Sequence, residues 1–250
     1  MTTRRCGSQT QLERLIAGQI AAGLQTALQL HGQASLALPG GRSISGVLRH
    51  LAQQQIEWRA VTLIPADERC LPHGDSERNW HIVERELLQP LRARAALELP
   101  ASRPFRYQPE RADWGLDDFR RSLALPRHRD GCIAIDVVVL GAGEDGHVAS
   151  LFPGSAALFS DADDYLSIDN SPKPPARRIT LGPRAIRGCA TAIVLFFGAA
   201  KREAARAFSD PALSREACPA RLICDVENSW AYADRLACPA EGDWQSENNR

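Results

Sequence analysis

The sequence predicts an α/β fold: a mostly parallel sheet with helices on both faces. Short apolar runs alternate with segments of helical apolar spacing along most of the chain. One of these runs, residues 133–140, is apolar and β-branched without alternation, as in a strand buried on both faces. Glycine turns follow two of the runs, at Gly40-Gly41 and from Gly141 to Gly146, where a parallel strand would hand over to the next segment. At 250 residues such a chain commonly forms one domain, and 1–250 is read as one, with a polar, frayed tail over 239–250.

Residues 10–30 open the fold as a helix, because Leu12, Leu15, Ile16, Ile20, Leu24 and Leu28 form one stripe at helical spacing. Residues 34–38 read as a strand that ends at Pro39-Gly40-Gly41, and Ile44, Val47, Leu48, Leu51 and Ile56 resume helical spacing. The pattern repeats with a strand over 60–64, a polar loop, and a helix marked by Ile82, Val83, Leu87, Leu88 and Leu91. After the strand at 133–140, further strands are expected at 165–168, 178–181, 190–197 and 221–226, with a helix over 199–208. The proline-rich piece 171–175 reads as a rigid surface loop.

Lys and Arg total 30 and so do Asp and Glu, with no run of like charge, which argues against nucleic acid or an anionic membrane as main partner. Any anion site must be local. The first nine residues contain arginines but no apolar export core, and no later stretch approaches the roughly 18 apolar residues of a membrane span. The seven cysteines are scattered and form no Cys-x-x-Cys pair, so a soluble, cytoplasmic chain with reduced thiols is expected. Among the 30 basic residues only Lys173 and Lys201 are lysine, which singles those two out.

In an open α/β sheet, ligands bind beyond the carboxyl ends of the strands, so the residues that follow each strand matter most. Four segments qualify. Pro39-Gly40-Gly41-Arg42-Ser43 joins a strand to a helix; its glycines allow close backbone approach, amides at a helix start favour phosphate, and Ser43 adds a hydroxyl or serves as an ordinary cap. Asp67-Glu68-Arg69 follows a strand and is joined by Asn79 at the next helix start, a charged cluster suited either to a cleft or to a surface salt bridge. The third segment runs from Gly141 to Gly154 and contains G-x-G-x-x-G, but Pro153-Gly154 interrupts the crossover helix that a dinucleotide site requires. It leaves Asp145 and His147 on a glycine turn, an acid paired with a base suited to proton transfer at neutral pH. The fourth comprises Arg178 and Lys201, cations from separate strand ends that can converge on one phosphate, while Arg177 reads as a solvated charge. No Gly-x-Ser-x-Gly elbow and no Cys/His zinc spacing is present.

Taken in order from Ser35 to Lys201, these segments resemble 6-phosphogluconolactonase, in the fold group that also holds glucosamine-6-phosphate deaminase. The most specific pieces are 141–154, Ser171-Pro172-Lys173-Pro174-Pro175 leading to Arg178-Ile179-Thr180-Leu181, and Asp67-Glu68-Arg69. The resemblance implies a modified Rossmann-like fold, no metal or other cofactor, and hydrolysis of 6-phospho-D-glucono-1,5-lactone in the oxidative pentose phosphate pathway. It implies His147 as general base with Asp145 beside it. Asp67, Glu68, Arg69 and Asn79 fall on the substrate side, and Gly40, Gly41, Ser43, Arg178 and Lys201 on the phosphate and sugar site. Departures from the family pattern are Arg42 within the glycine turn, Ala66 where glycine is usual, and Arg78 where serine is frequent. Two alternatives share the fold: an amino sugar phosphate deaminase, which needs Phe-Asn-Glu-Pro where this chain has Ser150-Leu151-Phe152-Pro153, and a non-catalytic sugar-phosphate sensor.

Overall fold

A computed structural model describes residues 1–94, 98–240 and 243–247. The chain begins with a strand, β1 (Thr3–Gly7), followed by the long helix α1 (Gln9–His31). Leu12, Ile16, Ile20 and Leu24 of α1 are fully buried, and the helix ends at Gly32, whose positive φ of 69° lets its N–H return to the Leu28 carbonyl. Then come β2 (Ala34–Leu38), α2 (Ser45–Leu51), β3 (Val61–Pro65) and the short β4 (Asp67–Arg69). Helix α3 (Trp80–Val83) continues through a π-helical stretch, Glu84–Leu88, into α4 (Gln89–Ala93). Next are β5 (Ala101–Ser102), α5 (Leu116–Leu123), β6 (Val137–Gly141), β7 (Tyr165–Ile168), β8 (Arg178–Leu181) and α6 (Pro183–Arg187). The last are β9 (Thr191–Phe196), α7 (Arg202–Ser209), β10 (Asn228–Asp234) and β11 (Gln245–Ser246).

Eight strands form one parallel sheet in the order β11-β1-β10-β9-β6-β2-β3-β5. The period-2 alternation of strand side chains divides the core in two. Val137 and Val139 pack on one face with the α1 stripe and with Val47 and Leu48 of α2. Val138 and Leu140 pack on the other with Phe119 of α5 and Phe208 of α7. Helices therefore cover both faces, and that double burial is why residues 137–140 lack any polar position. From β2 the chain builds outward to β3 and β5; from β6 it builds the opposite way, to β9 and β10. The carboxyl ends of β2 and β6 thus flank a topological switch point, where an open α/β sheet presents its crevice.

Several sequence expectations need correction. Residues 221–226 are not a strand: Pro219–Asp225 is a 3₁₀ helix, and the strand of that region is β10. The run 133–140 is strand only from Val137; Asp136 accepts from the backbone and hydroxyl of Ser35, and Ile133 forms an isolated bridge with Arg127. The expected loop after β3 holds β4, which pairs antiparallel with β8 in a separate three-stranded sheet, β4-β8-β7. The thiols are not all reduced, because Cys6 and Cys238 form a disulfide with Cα atoms 6.0 Å apart. The tail is not frayed throughout: β11 pairs with β1, and Trp244 packs on Phe196 and Phe208. Residues 241–242 and 248–250 of that tail lie outside the described residues. Among the described residues no helix is long and apolar enough to cross a membrane.

Candidate active site

The switch point opens into a cleft of about 590 Å³. Its floor is the turn that leaves β6. Gly143 N donates to the His147 carbonyl (2.8 Å) and Gly146 N to the Gly143 carbonyl (3.2 Å), closing a tight loop that carries Asp145 and His147 on its rim. Two glycines are required by this geometry. Gly146 has φ of 80°, and a Cβ on Gly143 would lie 1.9 Å from the imidazole Nδ1.

His147 Nδ1 lies 2.5 Å from Asp145 Oδ1. A carboxylate only accepts, so Nδ1 carries the proton and Nε2 is left as the basic nitrogen. Nε2 makes no hydrogen bond among the described residues, and the ring lines the cleft while stacking on Phe152 at 4.4 Å between centroids. Burial pushes the imidazole below its ordinary value, against the raising effect of the Asp145 hydrogen bond and charge, and the Lys173 ammonium adds to the lowering. Burial alone would raise the Asp145 carboxyl, but the hydrogen bond and charge of His147 hold it below the usual carboxylate range. Lys173 Nζ stands 3.9 Å from Asp145 Oδ2.

One wall is built on Asp67. Its buried carboxylate accepts from Ser150 Oγ (2.7 Å) and from Asn79 Nδ2 (2.9 Å), and Arg178 Nη1 lies 3.9 Å away. Arg178, itself buried, donates to the carbonyls of Lys173, Pro174 and Pro175, so it braces the proline-rich loop that carries Lys173. Burial lowers the Arg178 guanidinium below its ordinary value. Arg69 donates through Nη1 to the Glu77 carbonyl, while its buried Nε has no partner among the described residues.

Opposite lies the glycine turn after β2. A Cβ on Gly40 would fall 2.0 Å from Asn79 Oδ1, so the absence of a side chain lets the Asn79 amide close over the turn. Gly41 has φ of 86°. Ser43 and Arg42 line the cleft beside it, and Lys201 enters from the loop after β9. Burial lowers the Lys201 ammonium, opposed by Glu144 and Asp145 and reinforced by Lys173 and Arg42.

Of the residues singled out in the sequence, Gly40, Gly41, Ser43, Asp67, Arg69 and Asn79 line this cleft, as do His147, Arg178 and Lys201. Asp145 reaches it through His147. Glu68 does not line it, and its assignment as a substrate contact is corrected. The side chain is fully buried, accepting from the amides of Arg69 (2.7 Å), Asn79 (2.7 Å) and Trp80 (2.9 Å), with Arg78 Nη2 at 3.5 Å. Glu68 thus anchors the helix start that presents Asn79. Burial raises its carboxyl, partly offset by Arg78 and the three amides. Arg177 stacks over Trp114 away from the cleft. Lining residues outside the candidate set include Arg42, Lys173, which its rarity had marked, and Gln9, for which the sequence offered no signal. Among the described residues no cluster of three or more His, Cys, Asp or Glu is placed to hold a metal ion.

A parallel α/β sheet with a cleft at its switch point, lined by a histidine held by a carboxylate and by several cations, is an architecture of α/β enzymes, and comparison with known proteins gives the family. The sequence profile of the family described as glucosamine-6-phosphate isomerases/6-phosphogluconolactonase matches residues 7–231, and the chain belongs to that family. A 6-phosphogluconolactonase of Mycobacterium leprae is 32% identical over 233 residues, 90% of this chain and 92% of that protein. The crystal structure of a 6-phosphogluconolactonase from Shewanella baltica superposes with a TM-score of 0.77 at 28% identity, covering 94% of this chain and 97% of the other. A monomeric glucosamine-6-phosphate deaminase shares the fold, with a TM-score of 0.71 at 18% identity over 95% and 98% of the two chains.

Proposed function

We propose that this protein opens 6-phospho-D-glucono-1,5-lactone to 6-phospho-D-gluconate, the hydrolytic step of the oxidative pentose phosphate pathway, with His147 as general base. The observation that carries the reading is the free Nε2 of an imidazole fixed by Asp145 and turned into a cleft lined by Arg42, Arg69, Lys173 and Lys201. Amino sugar deamination is disfavoured because Ser150 is spent on Asp67 and Phe152 on the imidazole face, at the positions that follow the histidine motif.

A lactone is a cyclic ester. Nε2 takes a proton from water as the oxygen attacks the carbonyl carbon, and the imidazolium so formed returns a proton to the departing ring oxygen. Asp145 holds the tautomer and stabilises the imidazolium without itself being protonated. The carbonyl oxygen gains charge and needs donors. Within the β6 turn, the amides of Ala142, Gly143 and Gly146 already donate to Leu195, His147 and Gly143 carbonyls. The guanidinium of Arg69, charged and in the cleft wall, is the better oxyanion donor. The phosphate then lies at the other end, on Gly40, Gly41 and Ser43 with Arg42 and Lys201. Acid release from freshly made phosphorylated lactone, with spontaneous opening subtracted, tests the activity. Equal efficiency on unphosphorylated gluconolactone would remove the phosphate assignment.

A further inference from the structure

The loop that carries Lys201 is short and begins at Gly198, whose φ is 95°. Nothing in its own sequence, Gly198-Ala199-Ala200, has a side chain able to hold it over the cleft. Its anchor comes from the neighbouring strand. Asp234, the last residue of β10, is 3% exposed and accepts from Gly198 N through Oδ2 at 2.8 Å. The Gly198 carbonyl in turn accepts from Lys201 N at 2.9 Å, so two hydrogen bonds link the carboxylate to the lysine backbone. The other oxygen, Oδ1, accepts from Leu236 N (3.1 Å) and Ala237 N (2.8 Å), and the Asp234 carbonyl accepts from Cys238 N (2.8 Å). Cys238 is bonded to Cys6 of β1, and Asp234 stands in register with Gly7 of the same strand. No cation lies within ion-pair distance of Asp234 among the described residues; three backbone N–H groups satisfy it. A buried carboxylate spent wholly on loop amides is a device for fixing loops.

We infer that Asp234 is a positioning residue for phosphate recognition, setting the Gly198–Lys201 turn so that Lys201 meets the substrate phosphate. This rests on the reading of Lys201 as a phosphate contact. Asp234→Asn keeps the shape but turns an NH₂ group toward at least one backbone N–H, so the Gly198 or the Leu236 and Ala237 bonds are lost. The effect belongs to the phosphate end of the cleft, since the His147 turn hangs from β6 and makes no hydrogen bond to Asp234.

The test compares kcat/KM for the phosphorylated lactone with that for unphosphorylated glucono-1,5-lactone in the wild type, D234N and K201M. The ratio should fall about tenfold in D234N, the size expected when a hydrogen bond to a charged group is lost, and it should fall through KM with kcat kept within about twofold. K201M should lower the same ratio. If K201M lowers it while D234N leaves it unchanged, Asp234 does not position the lysine. An equal fall on both substrates would make Asp234 merely structural and overturn the inference. An unchanged ratio in K201M would instead remove the phosphate reading on which the inference stands. Should D234N fail to fold by circular dichroism, Gly198→Ala replaces it. That variant strains the same turn through its positive φ while leaving Asp234 in place, because the added Cβ meets no atom within 4 Å.

Discussion

Replacing Gly143 by alanine tests the catalytic geometry without deleting either member of the pair. The added Cβ would lie 1.9 Å from His147 Nδ1, 2.0 Å from Cε1 and 2.6 Å from Asp145 Oδ1. Carbon contacts settle near about 3.5 Å, so the ring must retreat by roughly 1.5 Å or the turn must open. Gly143 is not among the residues with positive φ, so alanine is strained there only through its side chain. The perturbation therefore falls on the imidazole and its carboxylate rather than on the fold, and the turn is partly solvent-exposed at Glu144 and Asp145. A displacement of about 1 Å between reacting groups costs on the order of 10²-fold in rate, and kcat should drop by about that factor with the melting temperature nearly unchanged. The assay is acid release from freshly prepared lactone at constant pH, corrected for spontaneous opening. A folded Gly143→Ala variant that turns over within threefold of the native rate would refute the placement of the base on this turn.

His147→Ala should lower kcat by about 10²- to 10⁴-fold while inorganic phosphate still binds, measured by competition. Since burial lowers the imidazole and only its neutral form accepts a proton, kcat/KM should fall as pH drops through a value below the ordinary 6.5 of histidine. Asp145→Asn removes the raising influence, so that acid limb should move to still lower pH as the plateau falls; a limb above about 6.5 would contradict this. Glu68→Ala strands the amides of Arg69, Asn79 and Trp80, and thermal unfolding should show a loss of about 2–5 kcal/mol, whereas a change under about 0.5 kcal/mol would show the anchor to be dispensable. Activity should survive EDTA, because no donor cluster is assembled among the described residues; loss restored by zinc or magnesium would count against it.

The pairing of Asp145 with His147 was legible because sequence and space coincide there. Asp145 and His147 are two residues apart on one turn, and the turn follows the most apolar strand of the chain. The strand ends of β2 and β3 were legible for the same reason: a change from apolar to glycine or charge marks them locally. What escaped depends on pairings across long separations. Glu68 reads like a cleft carboxylate, and only the fold shows that its oxygens are taken by amides up to 12 positions on. β1 and β10 were missed because their strand character comes from packing. Arg4 and Arg5 in β1 lie over the rings of Phe208 and Trp230, so residues that read as solvated cover aromatic surface. In β10, buried Ala231 and Ala233 alternate with Trp230 and Tyr232, so one face of the strand is made of residues too small to read as an apolar run.

The cations show most clearly where sequence reasoning stops. Of 30 basic residues, composition cannot say which recognise phosphate. The structure separates them by what each already does. Arg177 covers Trp114, Arg120 and Arg127 bind Asp164, and Arg178 is spent on loop carbonyls. The side chains of Arg42 and Lys201 line the cleft with no hydrogen bond or ion pair of their own among the described residues. An unsatisfied cation at a strand end is available for an anion in a way that a paired one is not, since a paired cation must first break its existing contact. Both chain lysines reach the same cleft from different loops, Lys173 beside the base and Lys201 beside the glycine turn. In the proposed function, that division assigns one cation to the reacting end of the substrate and one to the phosphate. Affinity and turnover should therefore separate when the two lysines are replaced one at a time.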